Sequence, residues 1–269
     1  MRHYLLRLGA LVLAGVVAGP AAVAAEGVQQ VDLALVLAVD VSSSMNEAEQ
    51  RAQREGYVRA FHDPDVLLAI RSGPRGRIAV AYLEWAGPDF QSTRVPWTVI
   101  GGDGDAAAFA DRLASIPYGV QHSTSISAAL LASVALFTFA PASDRDVIDL
   151  SGDGPNNAGL ALMAVQAWVA GRGVTINGLA IELPRNGEPD LPDPFGAGFV
   201  EAYYEDCVIG GPGAFVIPVD EIGRFGEAIR EKLVLEIAGA PPRLVPARVE
   251  AGRQRARLDC TTVGPTPGR

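Results

Sequence analysis

The sequence contains little cysteine and histidine. Its 269 residues include two cysteines, Cys207 and Cys260, and three histidines. The spacings of these residues match no zinc or redox motif, which argues against both kinds of site. In an oxidising compartment the two cysteines allow one disulfide, and the sequence alone leaves that bridge open.

Sequence signatures of several enzyme classes are also absent. The first strand is followed neither by a G-x-x-x-x-G-K-[ST] loop nor by a complete G-x-G-x-x-G, which argues against nucleotide binding. No G-x-S-x-G elbow occurs, and none of the histidines stands in the context of a catalytic triad. We therefore expect a protein that is not an enzyme. A metal-dependent hydrolase or phosphatase using Asp40 is the alternative, although Ser42 occupies the position where haloacid-dehalogenase phosphatases need a second Asp.

Positive charge is scarce. The chain has 22 Lys and Arg against 31 Asp and Glu, a formal net charge of −9. This excess of negative charge argues against nucleic acid or an anionic membrane surface as a partner. Hydrophobic residues make up 49% of the chain and charged residues 20%, which are the proportions of a globular protein with a sizeable core.

Only the N-terminus carries a long apolar run of the targeting type. Arg2 and Arg7 form a basic start, Leu8–Val23 is apolar, and the small residues Ala22–Ala25 offer a cleavage site. This pattern predicts a signal peptide over residues 1–25 and an exported protein, periplasmic or secreted. We expect no stable membrane anchor after cleavage; a retained anchor is the less favoured alternative. No later uninterrupted apolar run is long enough to span a bilayer.

Strand-like and helix-like segments alternate along the rest of the chain. This alternation predicts one α/β domain over residues 26–238, Rossmann-like, with a mostly parallel central sheet and helices on both faces. Pro96 assigns its run to an antiparallel edge strand. The Pro- and Arg-rich residues 239–269 predict a disordered C-terminal tail. The predicted strands are 33–39, 77–85, 93–100, 146–150, 174–182 and 214–219, and the predicted helices are 47–62, 66–70, 105–116, 128–139, 160–170, 199–206 and 220–237.

The stretch Leu33–Ser44, LALVLAVDVSSS, carries the strongest functional signal. An apolar strand ends in Asp40, and Ser42 and Ser44 follow at alternate positions. Open α/β sheets bind their ligands at the carboxyl ends of the strands. Three hard oxygen donors on one turn there favour a small divalent cation.

The sequence D-V-S-S-S resembles the D-x-S-x-S signature of von Willebrand factor A domains, the first part of their metal-ion-dependent adhesion site (MIDAS). Two further segments resemble the remaining parts in the expected order. Thr124 in H-S-T-S-I-S-A-A-L is similar to the family's G-x-T-x-T-x-x-A-L loop, and Asp153 in D-L-S-G-D-G-P is similar to its T-D-G loop. The chain departs from the family at His122, Ile126 and Gly152, which stand where Gly, Thr and Thr are usual.

The resemblance implies the von Willebrand A fold and a MIDAS-type site made by five residues: Asp40, Ser42, Ser44, Thr124 and Asp153. Such a site binds Mg²⁺, or Mn²⁺ or Ca²⁺, and accepts a carboxylate from a protein ligand. The implied function is an exported adhesion or interaction module. Because Ser, Thr and Asp also cap helices, a purely structural α/β domain without a metal is a further alternative.

One more segment is distinctive. Tyr203–Gly213, YYEDCVIGGPG, resembles a group of exported bacterial proteins with this domain, the group of unknown function DUF1194. The sequence assigns no chemistry to this segment.

Overall fold

The structure is a computed structural model that describes residues 30–183, 197–239 and 256–261. The predicted signal peptide over residues 1–25 lies outside this part, and so does most of the predicted tail over residues 239–269. Both assignments therefore stay predictions. Within the described residues, no helix is long and apolar enough to cross a membrane.

The described residues form six strands and seven α-helices, in the order that the sequence predicts. The strands are β1 (Leu33–Asp40), β2 (Ile78–Trp85), β3 (Gln91–Ile100), β4 (Asp146–Gly152), β5 (Thr175–Ile181) and β6 (Val216–Val219). The helices are α1 (Glu47–Ala60), α2 (Pro64–Ser72), α3 (Asp103–Ala114), α4 (Ile126–Phe137), α5 (Leu162–Ala170), α6 (Phe199–Tyr203) and α7 (Phe225–Ala238).

The strands make one sheet in the order β3-β2-β1-β4-β5-β6. Every neighbouring pair is parallel except β2 and β3. Strand β3, which contains Pro96, lies at the edge, where a residue without an amide hydrogen is tolerated. The predicted α/β fold, with a mostly parallel sheet and one antiparallel edge strand, is confirmed. The parallel register brings the carboxyl ends of β1, β2 and β4 to the same edge.

The sheet is covered on both faces, because alternate residues of its central strands enter two separate cores. In the first core, Leu33, Leu35 and Leu37 of β1 pack with α1, α2, α3 and α7. In the second core, Val36 and Ala38 pack with α4, α5 and α6. Each fully buried leucine contributes roughly 1.5–3 kcal/mol to the free energy of unfolding. Burial on both faces explains why β1 reads as a continuous apolar run rather than an alternating one.

The end of α6 differs from the prediction. The sequence predicts one helix over residues 199–206, but the α-helix ends at Tyr203 and a π-helical turn follows over Tyr204–Val208. The amide of Ile209 donates to the carbonyl of Tyr204 at 3.0 Å, which closes the wider turn. Single π-helical turns of this kind occur frequently at functional sites.

The two cysteines form a disulfide. Cys207 in the π-helical turn is bonded to Cys260, 53 residues further along the chain. The adjoining Leu258 donates its amide to Asp206 Oδ2 at 2.8 Å and packs against the second core. The bridge thus ties residues 256–261 to the π-helical turn.

We expect reduction of this disulfide to lower the free energy of unfolding, by up to about 4 kcal/mol for a loop of this length. Denaturant unfolding with and without a thiol reductant measures the loss. The Cys207→Ala/Cys260→Ala variant is the control, because reductant has no bond to cleave in it. Equal stability of oxidised and reduced wild type would contradict the expected contribution.

A buried charged cluster joins α7 to the sheet. Lys232, the only lysine of the chain, lies with its Nζ 2.8 Å from Asp149 Oδ1 of β4 and also contacts the Glu236 carboxylate. Asn177 of β5 donates to Glu236 Oε1 at 3.0 Å. All these side chains are buried. Burial raises the pKa of Glu236 to about 7; the charge of Asp149 adds to the rise, and Lys232 opposes it.

A glutamate whose folded-state pKa is raised stabilises the fold fully only below its unfolded pKa. For Glu236 that stability is lost as pH rises from about 4.5 towards about 7. We therefore expect Glu236→Gln to become progressively more stable than wild type across this range in urea unfolding. Glu227→Gln, an exposed position on the same helix, should show no such trend. Parallel stability curves for wild type and Glu236→Gln would contradict the expectation.

Candidate metal centre

Asp40 ends β1 inside the protein rather than on its surface. Its side chain is fully buried, and its Oδ1 accepts the Ser42 amide at 2.7 Å. The parallel register places Trp85 of β2 beside it and brings the end of β4 to the neighbouring position. A carboxylate is thus held at the carboxyl edge of the sheet, where open α/β folds bind ligands.

Two serines connect this turn to the loop after β4. Ser42 Oγ and Ser44 Oγ are 2.9 Å apart, and Ser44 Oγ donates to Asp153 Oδ1 at 2.7 Å. Ser44 and Asp153 are 109 residues apart in sequence. The structure therefore brings the oxygen donors of two distant motifs into direct contact.

The second carboxylate oxygen of Asp40, Oδ2, differs from Oδ1 in its surroundings. Oδ2 is buried and has no hydrogen-bond partner among the described residues. Burial raises the pKa of Asp40 well above its ordinary value, and the nearby charge of Asp153 raises it further. The Ser42 hydroxyl and the amides of Ser42 and Asp153 oppose this rise in the pKa through hydrogen bonds. Two neighbouring buried carboxylates are electrostatically unfavourable as anions, and either protonation or an accompanying cation relieves the repulsion.

The loop before α4 brings Thr124 to the same edge. Gln121 donates its amide to the Val41 carbonyl at 3.0 Å, and Ser125 donates to the Ala86 carbonyl at 2.7 Å. The Thr124 amide donates to Asn157 Oδ1 at 2.9 Å. Thr124, which is itself buried, is therefore held between the ends of β1 and β2 and the loop that carries Asp153.

The backbone of this loop packs closely against the residues that follow β2. A Cβ on Gly87 would lie 2.7 Å from the carbonyl oxygen of His122. Ser123 has φ of 67°, a left-handed conformation that few residues other than glycine adopt. The backbone after β2 and the loop before α4 thus pack against each other without intervening side chains.

Several residues outside the five candidates support the site. Asn156 Oδ1 accepts the Ser127 amide at 3.0 Å, and the Asn156 amide donates to Tyr203 Oη at 3.2 Å. Gln53 of α1 donates to Ser151 Oγ at 2.7 Å, directly below the Asp153 loop. Tyr204 is a further neighbour, because the charges of Asp40 and Asp153 raise the pKa of its phenol after the larger effect of burial. The distinctive YYEDCV sequence is the one hint that this segment matters.

Two residues at the carboxyl end of β2, Glu84 and Trp85, lie near this edge but are buried. Glu84 is buried and paired with Arg54 at 2.6 Å and with Arg94 at 3.5 Å. Trp85 is fully buried and belongs to the second core. Neither side chain is exposed at this edge of the sheet.

The donor chemistry fits a hard divalent cation. All five side chains named by the sequence present oxygen, and two of them are carboxylates. Among the described residues, no three His, Cys, Asp or Glu side chains come together as a metal-binding group. A cation at this edge therefore requires hydroxyl and water oxygens beside the two carboxylates, which suits Mg²⁺ or Mn²⁺ and excludes a sulfur- or histidine-rich zinc site.

Comparison with solved structures shows the von Willebrand factor A fold. The proximal thread matrix protein 1 of the mussel byssus has a TM-score of 0.53 and 15% identity, covering 78% of this chain and 48% of that one. The pilus adhesin SpaC of Lactobacillus rhamnosus GG has a TM-score of 0.54 and 14% identity, covering 78% and 30%. A von Willebrand factor type A protein of Catenulispora acidiphila has a TM-score of 0.50 and 12% identity, covering 77% and 43%.

The chain thus spans about half the length of the mussel protein, or less than half of the other two. A further structure of the mussel protein, with a TM-score of 0.50 and 14% identity over 78% of this chain, has a zinc-occupied MIDAS motif. No curated protein matches the chain. The family model of DUF1194, a protein of unknown function, matches residues 30–241, and the chain therefore belongs to the DUF1194 family.

Proposed function

We propose that this protein is a metal-dependent protein-binding module whose cation site consists of Asp40, Ser42, Ser44, Thr124 and Asp153. The observation that carries the proposal is the contact between the two halves of the motif. Ser44 donates to Asp153, while the buried Oδ2 of Asp40 beside them has no partner among the described residues. A divalent cation supplies the positive charge that this arrangement lacks.

Each residue has a distinct part in the proposal. Asp40 and Asp153 provide two negative charges, and Ser42, Ser44 and Thr124 provide neutral oxygens. When bound, Mg²⁺ or a similar ion offers a position at which a carboxylate of another protein can replace a water. The backbone hydrogen bonds that fix the loops hold these side chains before a ligand arrives, which lowers the entropic cost of binding.

The surroundings of the site support a protein as the ligand. Tyr118 and Val120, 38% and 52% exposed, lie in the loop that leads to Gln121, which bridges to Ser42. Leu160, 60% exposed, follows the Asp153 loop and accepts the Asn156 side chain on its carbonyl. Apolar side chains around a polar site supply contact area for a macromolecular partner. An acidic side chain of that partner, flanked by apolar ones, would match this surface.

The structural relatives support the same proposal. One of them is a matrix protein with a zinc-occupied MIDAS motif, and another is a pilus adhesin. Both are extracellular by their names, which agrees with the signal peptide predicted over residues 1–25. An exported interaction module is therefore the proposed class, with Mg²⁺ as the proposed cation.

We expect Asp40→Asn to abolish binding of Mg²⁺ and Mn²⁺ while raising the stability of the metal-free protein. The amide keeps an acceptor for Ser42 but removes the buried charge. Wild type should gain about 2.7 kcal/mol at a metal concentration 100 times the dissociation constant, and the variant should gain nothing. Calorimetry gives the binding, and thermal unfolding with and without metal gives the stability.

Further variants make this test specific. Asp153→Ala should also abolish binding, and Thr124→Ala should weaken it less because a neutral ligand is lost. Asp111→Asn, an exposed position on α3, is the matched control and should bind as wild type does. Unchanged metal affinity in Asp40→Asn would refute the proposed site. Turnover of phosphate or ester substrates by the purified protein would favour the hydrolase alternative instead.

The exposed side chains around the site, Tyr118, Val120 and Leu160, form the proposed apolar rim, which has its own test. Val120→Ser and Leu160→Ser should weaken retention of a partner from the exported fraction of the source cells without changing metal affinity. Retention by wild type should be lost with a chelator and in Asp153→Ala. Phe139→Ser is the control, because Phe139 is 79% exposed but follows the far end of α4. Retention that ignores both chelator and Asp153→Ala would contradict a metal-dependent partner.

A further inference from the structure

Tyr204 reaches the metal centre from a part of the chain outside the five proposed ligands. It begins the π-helical turn, and its side chain is fully buried. Its hydroxyl has no hydrogen-bond partner among the described residues. A buried hydroxyl without a partner is destabilising, so such a group in a well-packed core calls for an explanation.

Two glycines make room for this side chain. A Cβ on Gly152 of β4 would lie 2.5 Å from Tyr204 Oη, and a Cβ on Gly178 of β5 would lie 2.6 Å from Tyr204 Cδ1. Any other residue at either position would displace the ring. Gly152 is also the position where von Willebrand A domains usually have Thr. The departure at Gly152 therefore has a physical cause, since Tyr204 occupies the space of that side chain.

The position of a Cβ on Gly152 also shows how near Tyr204 lies to Asp40. A Cβ on Gly152 would lie 3.0 Å from Asp40 Oδ2 as well as 2.5 Å from Tyr204 Oη. The two oxygens thus flank one small space beside the glycine. Neither oxygen has a hydrogen-bond partner among the described residues, and the same holds for Nε1 of Trp85, whose ring lies 3.3 Å from the same point. A small rotation of the phenol would allow a direct hydrogen bond between Tyr204 and Asp40, and one bridging water would serve equally.

We infer that Tyr204 is a positioning residue of the metal centre, whose hydroxyl donates to Asp40 Oδ2 directly or through one water and so orients the carboxylate for the cation. This inference rests on the proposed function. Tyr204 brings its hydroxyl from the π-helical turn to Gly152, the residue that precedes Asp153. Gly152 has no side chain and therefore leaves space for this hydroxyl. Metal-ligating carboxylates are commonly held by such outer hydrogen bonds, and their loss typically lowers metal affinity 10- to 100-fold.

The disulfide and the tail contribute to this arrangement. Cys207 lies in the same π-helical turn as Tyr204 and is bonded to Cys260. The carbonyl of Tyr204 accepts the amide of Ile209, which fixes the turn from its other end. The turn that presents the hydroxyl is therefore tied on both sides.

The test is Mn²⁺ affinity, measured by calorimetry on the full chain. Tyr204→Phe removes only the hydroxyl, and we expect its dissociation constant to rise about 10-fold or more. Tyr82→Phe is the matched control, because it removes from the opposite core another buried hydroxyl that has no hydrogen-bond partner within the described part of the chain. Its affinity should equal that of wild type. Near-ultraviolet circular dichroism is the check that both variants are folded.

One further readout separates positioning from packing. Mg²⁺ should also shift the near-ultraviolet absorption of tyrosine in wild type and Tyr82→Phe but not in Tyr204→Phe. Wild-type affinity in Tyr204→Phe would overturn this inference and leave the proposed function standing. Failure of wild type itself to bind Mn²⁺ would overturn both.

Discussion

Burial of the Asp40 carboxylate is the constraint on which the candidate site depends. Strand β1 lies at the centre of the sheet with cores on both faces, so the residue that ends it cannot reach bulk water. Its Oδ1 is satisfied by the Ser42 amide, and its Oδ2 is left without a partner among the described residues. An ionised carboxylate is retained in such a position only when something compensates its charge. The divalent cation that we propose would meet that need.

Backbone hydrogen bonds help position the other donors, in addition to the side-chain contacts among Ser42, Ser44 and Asp153. Parallel pairing of β1 with β2 and β4 sets three strand ends side by side. The Thr124 loop then fits between them through hydrogen bonds to Val41, Ala86 and Asn157. These bonds fix the backbone of the Thr124 loop, so the loop is preorganised before any ligand binds at this edge.

Residues beneath the site, on both faces of the sheet, also stabilise the fold. The π-helical turn carries both Tyr204, which faces Asp40, and Cys207, which binds the tail through Cys260. On the other face of the sheet, the single lysine joins α7 to Asp149 of β4. The strand that leads to Asp153 is thus anchored on both faces. This arrangement limits movement of the loop that carries Asp153, one of the five proposed ligands.

Much of this protein could be predicted from its sequence, because periodicity and strand-end chemistry are local properties. The alternation of apolar runs gave the α/β class, Pro96 identified the edge strand, and the motif around Asp40 indicated where donors would gather. Other features could not be read from the chain, since they depend on contacts between distant segments. The departure at Gly152 has its cause in Tyr204, 52 positions later. Likewise, the bond between Cys207 and Cys260 requires the tail to return to the π-helical turn. Local patterns determined which elements form, and only tertiary packing decided which side chains share one small space.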